Sequence, residues 1–255
     1  LHDIPVALVT GTNGKSTTVR LVAAMAQAAG QVVGLSSTES VMAAGEILDR
    51  GDWSGPGGAR MALADLRPSI AVLETARGGL LRRGLAVSRA TVAAVTNIAE
   101  DHLGDFGLPD LGALADLKFV VTRVAEQVVL NADDPICSAR AASLARPLTY
   151  FGLDPAAPRL VAHLAAAGRA CLLEGDRLLL REGDRAPVEL ARVDELPIAM
   201  GGAARYNIAN ALCAAAVGLA LGLTVEAVRA GLLGFENRPD TNPGRMNRFD
   251  LGGAT

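Results

Sequence analysis

The run Gly11-Thr12-Asn13-Gly14-Lys15-Ser16-Thr17 places small residues, a lysine and two hydroxyls in the order that phosphate binding needs. Backbone N–H groups of such a loop, together with the positive end of a following helix, can surround phosphate oxygens, while Lys15 meets the outer oxygens and Ser16 holds a magnesium ion. Thr12, Asn13, Gly14 and Thr17 complete the candidate cradle. Val9 stands where the longer G-x-x-x-x-G-K-[ST] spacing has its first glycine, so the loop is a shortened form. A plain glycine turn beside a solvated lysine is the alternative. It is disfavoured because the β-rich run Ile4–Val9 precedes the loop and an apolar-periodic stretch, Ser16–Ala28, follows it, as the phosphate-binding mechanism requires.

Other candidates carry both a chemical and a bland reading. Glu74 closes the apolar run Ile70–Leu73, and a carboxylate at a parallel strand's carboxyl end can reach a metal ion or can cap a helix. Asp101-His102 follows the run Thr91–Val95, where the imidazole of His102 is a metal ligand or an ordinary histidine. Lys118 lies in the helical pattern Leu111–Val124 among apolar neighbours, which taken alone favours a lysine extending to water. In Asn131-Ala132-Asp133-Asp134-Pro135 the chain leaves a strand and enters a helix, so Asp134 reads first as an N-cap. Asn207 and Asn210, one turn apart at the start of an alanine-rich helix, cap it or reach a nucleotide base. Arg245, on the loop Pro243-Gly244-Arg245, is a solvated charge or a phosphate clamp.

The elements that must position these residues read as strand and helix in alternation. Strand runs recur at 127–130, 171–173 and 177–180, and helical patterns at 135–144, 205–221 and 225–232. This predicts an α/β fold, a mostly parallel sheet flanked by helices around a P-loop, with a small antiparallel β insertion at about 155–197. Gly51–Gly58 and Glu236–Asn247 read as loops, the second as a domain linker. Half the residues are apolar and only 3% aromatic, so the core is expected from Ala, Val, Leu and Ile. A formal charge of −3 offers nucleic acid no basic field. The three cysteines form no C-x-x-C pair, which disfavours a disulfide frame or zinc site and fits a reducing cytoplasm. No stretch reaches the roughly 20 apolar residues of a membrane span. The chain from Leu1 to Thr255 reads as an excised piece of a longer protein.

In this order the loop, the strand-end Glu74, Asp101-His102, Lys118, Asn131–Asp134, the asparagine pair and Gly244-Arg245 resemble the central domain of the Mur ligase family. Residues 1–247 would form that domain, and 248–255 would begin a linker to a C-terminal ligase domain absent from this chain. The segments Gly51–Arg60, Leu73–Leu85 and Asn242–Asn247 are similar to cyanophycin synthetases within that family. The resemblance implies an ATP-dependent, ADP-forming ligase that makes an amide through an acyl phosphate, with arginine and a β-aspartyl carboxylate as substrates. It assigns the loop, Asn131, Asn207, Asn210 and Arg245 to ATP, and Ser16, Glu74, His102 and Lys118 to Mg²⁺, with Lys118 at the position that these ligases carbamylate. Lys15, Lys118 and His102 become the catalytic candidates, and Asp52, Arg60, Thr75 and Arg77 face the acceptor. Expected partners are an amino acid and a carboxylate or peptide-like polymer, with neither nucleic acid nor membrane, and a homo-oligomer is compatible. A Mur-like ligase with another amino-acid substrate, or a nucleotide-binding module inactive in isolation, remains an alternative. Tyr206 stands where the family often has histidine, and Ser37-Thr38-Glu39-Ser40 replaces the Thr-Thr-Asp-Gly usual in cyanophycin synthetases.

Overall fold

In the first strand, β1 (Val6–Thr10), every residue is buried. A strand can bury both faces only when helices cover both sides of its sheet, and the alternation of side chains sends successive residues into different cores. Ala7 and Val9 enter one apolar cluster with Leu21, Met25, Leu212 and Val228. Val6 and Leu8 enter a second with Leu73, Val121, Leu130 and Leu160. The structure, a computed structural model, describes residues 3–100, 109–238 and 241–245.

The described strands form a single 11-stranded sheet. In chain order they are β1, β2 (Val33–Ser36), β3 (Ser40–Ala43), β4 (Glu46–Arg50), β5 (Ile70–Glu74), β6 (Ala90–Val95), β7 (Ala125–Asn131), β8 (Leu148–Gly152), β9 (Arg169–Glu174), β10 (Arg177–Glu182) and β11 (Val188–Arg192). Their spatial order is β11-β10-β9-β8-β7-β6-β1-β5-β2-β3-β4. The central strands from β2 to β9 in space run parallel. Both outer pairs, β3–β4 and β10–β11, are antiparallel. The chain leaves β1 toward β2 on one side and later returns to build β6, β7 and β8 on the other. The strand order therefore reverses at β1, which puts a ligand crevice at its carboxyl end.

One face of the sheet carries α1 (Lys15–Ala28), α7 (Arg205–Ala220) and α8 (Val225–Gly234). A side chain at Gly231 would collide with the backbone of Met25, so glycine there lets α8 lie close on α1. The other face carries α2 (Pro56–Ala64), α3 (Arg77–Arg83), α4 (Leu111–Phe119), α5 (Pro135–Ala141) and α6 (Pro158–Ala165).

Strands β2, β3, β4 and β11 and helix α6 were not anticipated from the sequence, and three further differences bear on how the elements join. The helix expected over 111–124 stops at Phe119 and tightens into a 3₁₀ turn, Val120–Arg123, which turns the chain directly into β7. Pro56, read as part of a loop, instead occupies the first turn of α2, where its fixed φ and missing N–H cost nothing. Strand β8, not anticipated, joins the antiparallel strands to the main sheet by its parallel pairing with β9. Among the described residues no helix is long and apolar enough to cross a membrane.

Candidate functional site

The loop of residues 11–14 crosses the carboxyl end of β1 and delivers Lys15 and Ser16 at the start of α1. Gly14 adopts φ 85°, and a Cβ there would lie 2.1 Å from the Asn210 Oδ1 atom. Both the turn and the approach of the asparagine therefore require glycine. Lys15 Nζ donates to the Thr12 carbonyl at 2.7 Å, folding over the loop that it serves.

The segment following β6 holds the loop from beside it. Thr96 Oγ1 donates to the Asn13 carbonyl at 2.6 Å. Asn97 Oδ1 accepts from the Asn13 N–H at 2.9 Å, and Thr12 donates its N–H to the Asn97 carbonyl. Asn131, at the end of β7, donates to the Thr96 carbonyl at 2.9 Å. These bonds tie the ends of three parallel strands to a single turn.

Glu74, at the end of β5, is 2% exposed. Its two oxygens accept from the Thr38 hydroxyl at 2.8 Å and the Thr38 N–H at 3.1 Å. The same hydroxyl stands 3.5 Å from Ser16 Oγ, so the strand-end carboxylate and the loop hydroxyl meet through one threonine. Thr96 and Asn97 were not singled out from the sequence, and Thr38 entered only as part of the segment 37–40, with no role in the cation site. No local signal placed Thr38 there: it reaches the rim because β2 pairs in parallel with β5 and ends beside it.

Lys118 is also 2% exposed, which corrects the surface-lysine reading suggested by its apolar neighbours. Its ammonium passes beneath the loop and donates to the Gly11 carbonyl at 2.7 Å. On α7, Asn207 donates to the Ile198 carbonyl at 3.0 Å and accepts from Asn210 at 3.2 Å, leaving the Asn210 Oδ1 atom against Gly14. Arg245 Nη2 donates to Ser16 Oγ at 3.2 Å and to Glu39 at 3.1 Å.

A cleft of about 680 Å³ connects these groups, with Lys15, Glu74, Asn131, Asn210 and Arg245 on its walls and Phe151 and Tyr206 as its aromatic side. Asp134 instead caps α5, as its position before Pro135 implied, and accepts a further bond from the Ile98 N–H at 2.7 Å. Of the acceptor candidates, Asp52 borders a separate hollow of about 230 Å³ with Trp53, Arg82 and Arg83. It accepts bonds from Ser54 there. Thr75 is buried beside β1, Arg77 begins α3 and Arg60 is exposed on α2. Asp101 and His102 lie outside the described residues. Among the described residues no three His, Cys, Asp or Glu side chains cluster as metal ligands. The hydroxyls of Ser16 and Thr38 with the Glu74 carboxylate nevertheless form an all-oxygen set of the kind that a hard cation such as Mg²⁺ accepts alongside water and phosphate. The cysteines take no part: all three are buried and free, and burial pushes the Cys171 thiol up to about 12.

A shortened P-loop at the switch point of a parallel sheet, with Asn210 closing on it from a later helix, defines a P-loop α/β domain. The Mur ligase middle domain family matches residues 9–218, and the chain belongs to that family. Within it, the chain is similar to the cyanophycin synthetases of Synechocystis sp. and Trichormus variabilis. It is 39% and 40% identical to them over 255 residues, 98% of this chain. It spans only 29% and 28% of their lengths. A bifunctional folylpolyglutamate synthase/dihydrofolate synthase, solved with Mn, AMPPNP and L-glutamate bound, superposes with a TM-score of 0.61 at 25% identity. That match covers 89% of this chain and 57% of the other.

Proposed function

We propose that this chain is the ATP-binding domain of an ADP-forming amide ligase that joins an amino acid to a carboxylate. The likeness to cyanophycin synthetases favours arginine and a β-aspartyl carboxylate as the pair. The observation that supports it most directly is the meeting of Ser16 and buried Glu74 at Thr38 inside the cleft that Lys15 lines. Bound ATP would supply the phosphoryl group that activates the acceptor carboxylate, with Mg²⁺ offsetting the charge between the two anions.

The chain's own groups have separable tasks. Loop N–H groups and the Lys15 ammonium receive phosphate oxygens, while Ser16, Thr38 and Glu74 present oxygens to the cation. Asn210, pinned against Gly14, couples α7 to the loop, and the Tyr206 and Phe151 side of the cleft receives the base. Arg60, Thr75 and Arg77 with Asp52 would serve the acceptor on the adjoining surface.

Lys118 carries a second task. A cation this deeply buried is stabilised by its bond to Gly11, and carbamylation by CO₂ would turn it into an anion able to join the metal ligands. The neutral amine attacks the CO₂ carbon, a proton leaves, and the remaining N–H can still donate to the Gly11 carbonyl. In the ligase, Lys118→Ala should abolish amide formation, with partial recovery on adding a short-chain carboxylate. Full activity without additive would leave Lys118 only its role as a peg under the loop.

Calorimetry of this chain with AMPPNP and Mg²⁺ tests the main reading. Lys15→Ala should weaken binding by about 100-fold, the loss of two charge-assisted contacts, with folding intact. Unchanged affinity in that folded variant would refute the assignment.

A further inference from the structure

Arg20 on α1 is an arginine that neither the loop chemistry nor the family motifs call for, yet it is only 9% exposed. Its guanidinium reaches in two directions. Nη1 donates to the Thr241 carbonyl at 2.8 Å, and Nη2 to Glu39 at 3.2 Å and Ser37 Oγ at 3.4 Å. Glu39 then uses its other oxygen for Arg245, at 3.1 Å. One carboxylate therefore bridges two guanidiniums from opposite ends of the chain, and the second of these also donates to Ser16 in the phosphate cleft.

The two arginines differ in freedom. Arg20 is enclosed and fixed by its helix, whereas the Arg245 side chain is 40% exposed and follows Gly244, whose φ of +68° makes the turn. The backbone of Arg245 is held separately, because Asn237 Nδ2 donates to its carbonyl at 2.8 Å and Asn242 Nδ2 donates to Asn237 at 2.8 Å. Backbone position is thus set by the asparagines and side-chain direction by Glu39. A guanidinium aimed by a carboxylate loses less conformational freedom when an anion arrives than one left in solvent.

We infer that Arg20 and Glu39 are positioning residues that hold Arg245 at the mouth of the nucleotide cleft, beside Ser16, ready to receive polyphosphate. The inference rests on the reading of the cleft as an ATP site and adds the Arg20–Glu39 pair as the device that fixes its distal arginine. It also explains why the strand connection at Ser37–Ser40 and the segment 241–245 meet: Arg20 bonds to both. Charge balance follows as well, since without Glu39 the two guanidiniums would face each other uncompensated.

The test is a double-mutant cycle on AMPPNP affinity in this chain, using Glu39→Gln, Arg245→Ala and the double variant, with circular dichroism and thermal melts as the folding check. Glu39→Gln keeps the shape and one acceptor but loses the charge, and should weaken binding by about tenfold, the scale of one charge-assisted contact. Arg245→Ala should weaken it by at least as much. Added to Arg245→Ala, Glu39→Gln should cost nothing further, because Glu39 acts through Arg245. Glu39→Asp, which keeps the charge on a shorter arm, should retain more affinity than Glu39→Gln and supplies the same cycle if the Gln variant does not fold. Equal losses from Glu39→Gln with and without Arg245 would overturn the inference, as would unchanged affinity in the single variant. If Arg245→Ala alone binds normally while Lys15→Ala does not, Arg245 and its clamp are discarded and the ATP site stands. If Lys15→Ala binds normally too, the site itself falls.

Discussion

Across β1, β5 and β6 nearly every side chain is buried and apolar, and apart from Thr91 near the start of β6 the polar groups of that region gather at or just past the strands' carboxyl ends: Thr10, Glu74 and Thr96. Across β9, β10 and β11 the charges instead sit near both ends of the strands and in the turn between β9 and β10, pairing Arg169 with Glu182, Arg177 with Glu189, Arg181 with Glu174 and Arg192 with Asp176. Both regions belong to one sheet, yet only the first presents a cleft with a phosphate loop. Parallel strands end together on one rim, so their terminal residues converge. Antiparallel neighbours alternate direction, so their terminal charges fall on both edges of the sheet and do not converge on one rim. Charge in the wing is surface; charge in the centre is site.

That contrast can be broken by variants that should move stability and binding independently. The largest expected effect is on the wing's core: Leu178 is fully buried in β10, and Leu178→Ala should lower unfolding free energy by about 2–5 kcal/mol in a denaturant titration. AMPPNP affinity should stay within about twofold of the parent under native conditions, less than half a kcal/mol. A large affinity loss in the folded variant would mean that wing and cleft are coupled. Gly14→Ala should act on both properties, because it forces φ 85° on an alanine and drives its methyl into Asn210. Stability should drop by about 1–3 kcal/mol, with weaker nucleotide binding alongside. Normal binding would show that the loop conformation seen here is not the one that receives phosphate. The smallest effect belongs to Arg177→Gln, which removes an exposed ion pair with Glu189. Its stability change should stay below about 0.5 kcal/mol. A loss beyond 1 kcal/mol on that scale would make the wing's charges structural rather than solvating.

The same contrast separates what could be read early from what could not. The 11–17 loop was legible because its chemistry is contiguous and its flanking strand and helix announce their own periodicity. Glu74 was legible because a strand end in a parallel sheet has a known direction, and Asp134 because a proline follows it. Thr38, Thr96 and Asn97 were not, since each acts from an irregular segment whose position depends on how strands pair. Strand β4 shows the limit differently: all five of its residues are exposed, so it carries no apolar pattern, and its place comes from pairing with β3 alone.

By itself, the sequence determined the phosphate loop, the α/β alternation and the composition of an aliphatic core, because each is encoded by near neighbours and by periods of two and 3.6 residues. Only the tertiary structure decided that Lys118 turns under the loop rather than out to water, and that Arg20 and Arg245 share the Glu39 carboxylate. The separations involved explain why. Lys118 meets Gly11 across 107 residues and Arg245 meets Ser16 across 229, and no local pattern records a contact that forms only when the parallel strands end on a common rim.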